Sequence, residues 1–270
     1  MMLVQDADSE KGLEFSAYSL SASDWKTVVA VAQSLAEDAT FDVDPDGLRF
    51  KGMDPSHIAL VDIQMPRGSF VRFACSKPTK FTVHLEDFSK LVRRCDSKDP
   101  IEISKASNGA LTIRTGIGNY KREFELHLLD SHSKPAPVPK LSFSTRFVIE
   151  ADALGGIFND ASVVSTQIVV SSTGNSLTFL GKGDSGNARI SLLKEDNDYL
   201  KEFVAAENSE RCEASYSLEY LLKIMKAAST SADVINFQYS NKMPLKLEFQ
   251  LGSNESGVNI QFYLAPRVTD

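Results

Sequence analysis

Three cysteines, one tryptophan and four histidines are few for 270 residues, and each scarcity closes a route. Cys75, Cys95 and Cys212 are too scattered for a disulfide framework, and none forms the Cys-x-x-Cys pair of a zinc site. They read as reduced thiols in or near the core. His57, His84, His127 and His132 show no paired metal-ligand spacing, so neither metal nor cofactor is expected. No apolar run approaches the ~20 residues that cross a bilayer, and the opening MMLVQDADSEKG lacks the apolar stretch of a signal peptide. An intracellular protein with no membrane partner is expected. Cations are outnumbered too: 29 Lys and Arg against 36 Asp and Glu give a formal net charge of -7. That excludes a chain coated in positive charge. It leaves room for a local basic surface, because binding follows the field where phosphates lie and not the total.

What remains is an ordinary folding composition, 42% hydrophobic and 24% charged, at a length that suits two domains. Helical spacing of Trp25, Val28, Val29, Ala32, Leu35 and Ala36 predicts a helix over 23–38, with Ser23 as its N-cap. Further helices are predicted over 85–95, 150–162 and 217–229, the third weakened by Gly155 and Gly156. Most of the sequence between them alternates, as in IALVDIQM, LTIRT, YKREFELHL, SLTFLG, NARISLL, PLKLEFQL and VNIQFYL, and reads as strands joined by hairpins. Helix starts near 23, 86, 150 and 217 recur at near-regular intervals. One short helix followed by a run of strands is therefore repeated four times, in two copies of a two-unit domain. The stretch LLDSHSKPAPVPKLSF, with prolines at alternate positions, is the one obvious linker. The expected organisation is an N-terminal domain over 1–129, a connecting loop over 130–142 and a C-terminal domain over 143–270. The fold class is α+β.

Two stretches imitate active sites. Gly181-Lys-Gly183-Asp-Ser-Gly186 matches G-x-G-x-x-G, but the alternating NARISLLK follows it where a phosphate site needs a helix N-terminus, so a hairpin turn is expected. Asp54, Ser56 and His57 are the ingredients of a hydrolytic triad. Neighbours on one turn point apart, whereas a triad converges from separate segments, so Pro55 is expected to fix a turn there. Basic residues are more informative. Lys90, Arg93 and Arg94 lie opposite the apolar stripe of the second helix, Lys223 and Lys226 share a face of the fourth, and Lys26 is the corresponding cation of the first. One such face is ordinarily just solvated. Its repetition on equivalent helices of an acidic chain points to a polyanion.

GLRFKGMDPSHIALVDI, MPLKLEF and FYLAPRV, in that order, resemble the sliding clamp family of proliferating cell nuclear antigen, its archaeal members most of all, over about residues 13 to 268. The resemblance implies a two-domain clamp fold with sheets outside and four short helices on the inner face. It implies a non-enzymatic processivity factor, a ring of three subunits around duplex DNA, gripped without base readout. By the same resemblance Lys26, Lys90, Arg93, Arg94, Lys223 and Lys226 would face the DNA. Met53, His57, Ile58, Leu60, Val138, Pro139, Pro244, Tyr263, Ala265 and Pro266 would form a pocket for partner peptides. Arg122, Phe124 and Leu126 of one subunit would pair with Ala188, Ile190 and Leu192 of the next. The implied partners are DNA polymerase, clamp loader, flap endonuclease and DNA ligase. The implied location is the cytoplasm beside an archaeal nucleoid, or the nucleus of a eukaryote. Three identical copies are expected, with a mixed ring of paralogues as the alternative. Asn159, Val163 and Glu219 stand where relatives often carry cations, so positive charge is expected mainly from the second and fourth helices. The segment before Leu13 matches no family element and is expected to be a disordered tail. A dinucleotide-dependent enzyme and a β-rich structural protein are the readings from other classes.

Overall fold

The computed structural model describes residues 12–106, 109–130, 137–195, 198–205, 211–252 and 257–267. The expected N-terminal tail and the middle of the expected connecting loop lie outside the described residues. The chain divides into two compact units. One holds the described residues through Pro55 and 61–130, with 250–259; the other holds 137–249 and 260–267, with Ser56–Leu60.

In chain order the first part runs β1 (Leu13–Ser19), α1 (Ser23–Gln33), β2 (Asp38–Asp44), β3 (Gly47–Met53), β4 (Ala59–Pro66), β5 (Arg72–Cys75), β6 (Thr79–His84), α2 (Leu85–Arg94), β7 (Ile101–Ala106), β8 (Ala110–Ile117) and β9 (Tyr120–His127). The second runs β10 (Thr145–Glu150), α3 (Ala151–Ser162), β11 (Gln167–Thr173), β12 (Ser176–Gly183), β13 (Gly186–Leu193), β14 (Leu200–Val204), β15 (Cys212–Ser217), α4 (Leu218–Ala228), β16 (Val234–Tyr239), β17 (Leu245–Leu251) and β18 (Val258–Leu264). The first unit has a five-stranded sheet in the order β5-β1-β7-β8-β9, and β4, β3, β2 and β6 are neighbours in that order. The second has a four-stranded sheet, β13-β12-β11-β15, and the run β14-β10-β16-β17-β18. Helix α1 packs beside α2, and α3 beside α4.

The alternating pattern sends one face of each strand inward, as with Leu111, Ile113 and Thr115 of β8 or Leu177 and Phe179 of β12. The two cores resemble each other. Phe41 stacks on Phe81 at 5.0 Å between centroids in the first unit, and Phe147 on Phe237 at 4.6 Å in the second. Such pairs add ~0.5–1.5 kcal/mol beyond the area they bury.

The helix starts are fixed in a way the sequence did not announce. Helices α2, α3 and α4 follow their preceding strands without a break and carry no side-chain cap. Instead the first N–H of each donates to a backbone carbonyl just before a strand: Leu85 to Glu37, Ala151 to Asp233 and Leu218 to Thr166, at 2.8, 2.9 and 3.0 Å. In each case that strand is the one following the partner helix, so each helix is anchored to its twin. In α1 the N-cap position is Ala22 and not the expected Ser23; Ser21 Oγ accepts the Ser23 N–H at 3.1 Å. Helix α1 also stops at Gln33, short of the expected 38. Ser34 Oγ donates to the Val31 carbonyl, the Leu35 N–H tightens onto Ala32, and buried Leu35 continues the apolar period after the helix has ended.

GKGDSG is the tip of the β12–β13 hairpin, with Gly183 opposite Gly186. Its glycines answer to packing. A Cβ on Gly183 would lie 1.6 Å from the Val164 carbonyl oxygen, and one on Gly181 would lie 3.0 Å from that of Ala161, at the end of α3. Gly183→Ala must therefore push the hairpin off α3. It should cost ~2 kcal/mol or more in thermal unfolding, and Gly118→Ala, where a Cβ meets nothing within 4 Å, should cost less despite its positive φ.

Candidate assembly edges, peptide surface and basic helix faces

The Met53-Asp54-Pro55-Ser56-His57 turn links β3 to β4. Asp54 is 4% exposed and engaged, whereas Ser56 and His57 are exposed. The His57 backbone is left-handed, with φ 58°, and among the described residues its imidazole makes no hydrogen bond or ion pair. A general base needs an oriented ring, so the triad reading has no geometry to stand on.

Within the second unit Ile58 is 40% exposed and its carbonyl accepts the Ala265 N–H at 2.8 Å, which sets the turn beside Ala265 and Pro266. Both of those are half-buried, as are Val138 and Pro244, while Pro139 is exposed. Tyr263 is buried, and its hydroxyl donates to Gln261 Oε1 at 2.9 Å. Leu60, expected as contact surface, is only 3% exposed; it can support that surface from beneath but offers little of it. Met53, at the end of β3, is half-buried and groups with the first unit. Sequence reasoning passed over Met243, an exposed apolar residue beside Pro244 whose carbonyl accepts the Tyr216 hydroxyl at 2.8 Å. An apolar residue in the polar turn SNKMP was its only signal.

The cations differ in freedom. Lys90 pairs with Glu86 at 2.7 Å and Asp87 at 3.3 Å; the hydrogen bond to Glu86 raises the lysine pKa and lowers that of Glu86. Lys223 pairs with Glu219 at 2.7 Å and lies 5.7 Å from the Tyr220 ring. Lys26 is half-buried and donates to Ser97 Oγ at 3.1 Å. Arg93, Arg94 and Lys226 are exposed, and among the described residues no carboxylate lies within 4 Å of them.

Strands β9 and β13 each have a sheet neighbour on one side only among the described residues. Other edges are short or occupied. Strand β5 has four residues and β14 five. The Thr82 carbonyl of β6 accepts the Leu129 N–H, and the β15 carbonyls of Glu213 and Ser215 accept from Lys242 and Arg267. Strands β9 and β13 have eight residues each. Arg122, Phe124 and Leu126 of β9, with Ala188 and Ile190 of β13, are half-buried; Leu192 is buried. Two long open strand edges invite pairing with another chain.

Paired helices and repeated antiparallel sheets, with an open edge in each unit, define a DNA clamp fold. The model of the proliferating cell nuclear antigen N-terminal domain matches residues 15–131, and that of its C-terminal domain matches 137–267. A DNA polymerase sliding clamp from Nitrosopumilus maritimus is 35% identical over 256 residues, spanning 95% of this chain and 99% of its own. The crystal structure of PCNA from Thermococcus kodakaraensis superposes with a TM-score of 0.85 at 22% identity, covering 94% of this chain and all of that one. A structure of the C-terminal region of FEN-1 bound to A. fulgidus PCNA matches at 0.83 and 21%, covering 95% and 99%. The chain belongs to the proliferating cell nuclear antigen family.

The left-handed His57 gives a direct check on the turn. His57→Gly or His57→Asn, which tolerate φ near 60°, should leave stability within ~0.5 kcal/mol or raise it, and β-branched His57→Val should lose ~1–2 kcal/mol in denaturant unfolding.

Proposed function

We propose that the protein is a DNA polymerase sliding clamp: three copies of this chain close into a ring around duplex DNA and hold replication and repair proteins on it, without catalysing a reaction. Identity to an archaeal sliding clamp across nearly the whole of both chains carries this reading. The two open edges, one in each unit, give it a physical basis. A chain with two unlike open edges can join copies of itself head to tail, and such contacts close into a ring where the rotation permits. In this reading Arg122, Phe124 and Leu126 meet Ala188, Ile190 and Leu192 of the neighbouring copy. The three parts expected from the sequence, 1–129, 130–142 and 143–270, serve as two clamp domains and their connector. The ring works in the cell interior, where its DNA is.

Ile58, Pro266 and their neighbours serve as the surface for partner peptides, with the imidazole of His57 there for contact. The FEN-1 segment seen on the A. fulgidus clamp is the kind of ligand intended; DNA polymerase, the clamp loader and DNA ligase would use the same surface. A few apolar anchors dominate contacts of this type. Ile58→Ala with Pro266→Ala should weaken a peptide of the form Gln-x-x-aliphatic-x-x-aromatic-aromatic by ~1–4 kcal/mol in calorimetry. Unchanged affinity would remove the surface from consideration.

Lys26, Lys90, Arg93, Arg94, Lys223 and Lys226 supply the cations that face DNA, through phosphates and bridging water, while the acidic remainder repels it elsewhere. Helix α3 contributes none, for it contains no Lys or Arg. Lys90→Glu, Lys223→Glu and Lys226→Glu together should leave the mass in solution unchanged and reduce loading on primed DNA and polymerase stimulation. The loss should grow as salt falls, since repulsion is then less screened. Equal stimulation by both proteins at low and moderate salt would refute the assignment.

A further inference from the structure

His84 closes β6, and α2 starts directly after it. It lies opposite Asp38 at the first position of β2, and the Leu85 N–H that follows it donates to the Glu37 carbonyl at 2.8 Å. Backbone on both sides therefore fixes where the imidazole stands. Its Nδ1 is 2.9 Å from Asp38 Oδ1. A carboxylate can only accept, so Nδ1 donates, and Nε2 is the atom that gains or loses a proton. Nε2 sits 4.0 Å from Glu86 Oε2, while Glu86 Oε1 holds Lys90 at 2.7 Å and Asp87 reaches the same lysine at 3.3 Å. One carboxylate thus stands between an imidazole and an ammonium assigned above to DNA.

The charges around this ring are mostly of one sign. Asp38 comes from β2, Glu37 from the turn before it, and Glu86 and Asp87 from the first turn of α2. Asp130 follows the Leu129 whose N–H donates to Thr82 of β6. Helix α1, packed beside α2, has no basic residue in its last turn. Lys80 of β6 is held by Asp42 at 2.6 Å, which leaves Lys90 as the neighbouring cation that matters. The hydrogen bond to Asp38, opposed by desolvation and aided by the charges of Asp38, Asp87 and Glu86, raises the imidazole pKa above its ordinary value. The ring is 40% exposed, so a ligand can reach it. It stands on the side of α2 that carries Lys90, because Glu86, one turn before Lys90, lies between the two.

We propose that His84 is a further DNA-contact residue whose charge is conditional: protonated at Nε2, it offers an N–H to a phosphate and shares Glu86 with Lys90, and in its neutral form it leaves Lys90 to Glu86 alone. This rests on the reading in which the α2 face carrying Lys90 meets DNA. It adds a pH dependence that lysine and arginine, charged throughout the neutral range, cannot supply. The sign follows from linkage. A phosphate beside the ring favours its charged form, so binding takes up a proton, and affinity rises as pH falls through the pKa of His84 and drops as pH rises through it.

The test is binding of the full-length protein to a short linear duplex at fixed low salt, followed by fluorescence anisotropy from about pH 8.5 to about pH 6, with the mass in solution measured for every variant. Wild type should tighten by about threefold or more over that range. His84→Gln, which keeps a donor for Asp38 but takes up no proton, should flatten the profile to less than about 1.5-fold. His84→Lys, charged throughout, should bind at the alkaline end within about twofold of wild type at the acid end. Asp38→Asn should move the midpoint to lower pH, because the carboxylate that favours the charged ring is gone; a purely structural pair would weaken binding equally at every pH. In the wild type itself the His84 imidazole, followed by NMR, should titrate at higher pH with duplex than without. A His84→Gln protein that keeps the wild-type rise, or an imidazole titration unmoved by duplex, overturns the inference while leaving the DNA-facing lysines in place. A wild type that binds no duplex at any pH in the range overturns both.

Discussion

A backbone hydrogen bond at each of three helix starts governs much of the rest of this structure. The first N–H of α2, α3 and α4 would be an orphan donor in an isolated helix, and here it is satisfied by the carbonyl that precedes the strand following the twin helix. Helix entry is thereby coupled to sheet pairing. Neither helix of a pair can shift along its axis without breaking a bond that also sets where a neighbouring strand begins. The helix faces that carry Lys90, Lys223 and Lys226 inherit that rigidity, and so does the placement of α2 beside β9 and of α3 over β12. Because the device is made of backbone alone, it leaves the side chains at the helix starts free to vary.

The helices were legible because their apolar faces repeat at helical spacing: α2, α3 and α4 begin and end within about two residues of expectation. The end of α1 was not, since Leu35 stays buried after the chain has left the helix. Strands that pack one face outward announced themselves by alternation. Those that did not include β15, whose residues Ala214–Ser217 are all buried, and β5, which has only four residues. The motif-like stretches yielded to context. GKGDSG is glycine-rich because α3 crowds it, a pressure that acts across the fold and is invisible along the chain.

For the candidate site, residue types were readable and pairings were not. The sequence shows six cations on helices; only the structure separates Lys90 and Lys223, each held by a carboxylate one turn earlier, from Arg93, Arg94 and Lys226, which are not. Likewise Leu60 belongs to the stretch that resembles the family's peptide surface, yet it is buried. Exposure and ion pairing are properties of folded neighbours, and no spacing rule in one dimension encodes them.

The two open strands differ in chemistry. Strand β9 turns Lys121, Glu123, Glu125 and His127 outward, whereas β13 turns Asn187, Arg189, Ser191 and Leu193 outward. Like edges therefore do not match, and in the proposed ring each junction would join unlike ones, in the same sense every time. A closed circle built by that rule has two sides that cannot be exchanged, because rotation about its axis carries every copy of a given surface onto the same side. Threaded on a duplex, such a circle would be an arrow: a partner docked at any of its copies would face the same way along the DNA, an orientation set by the mismatch between two strand edges.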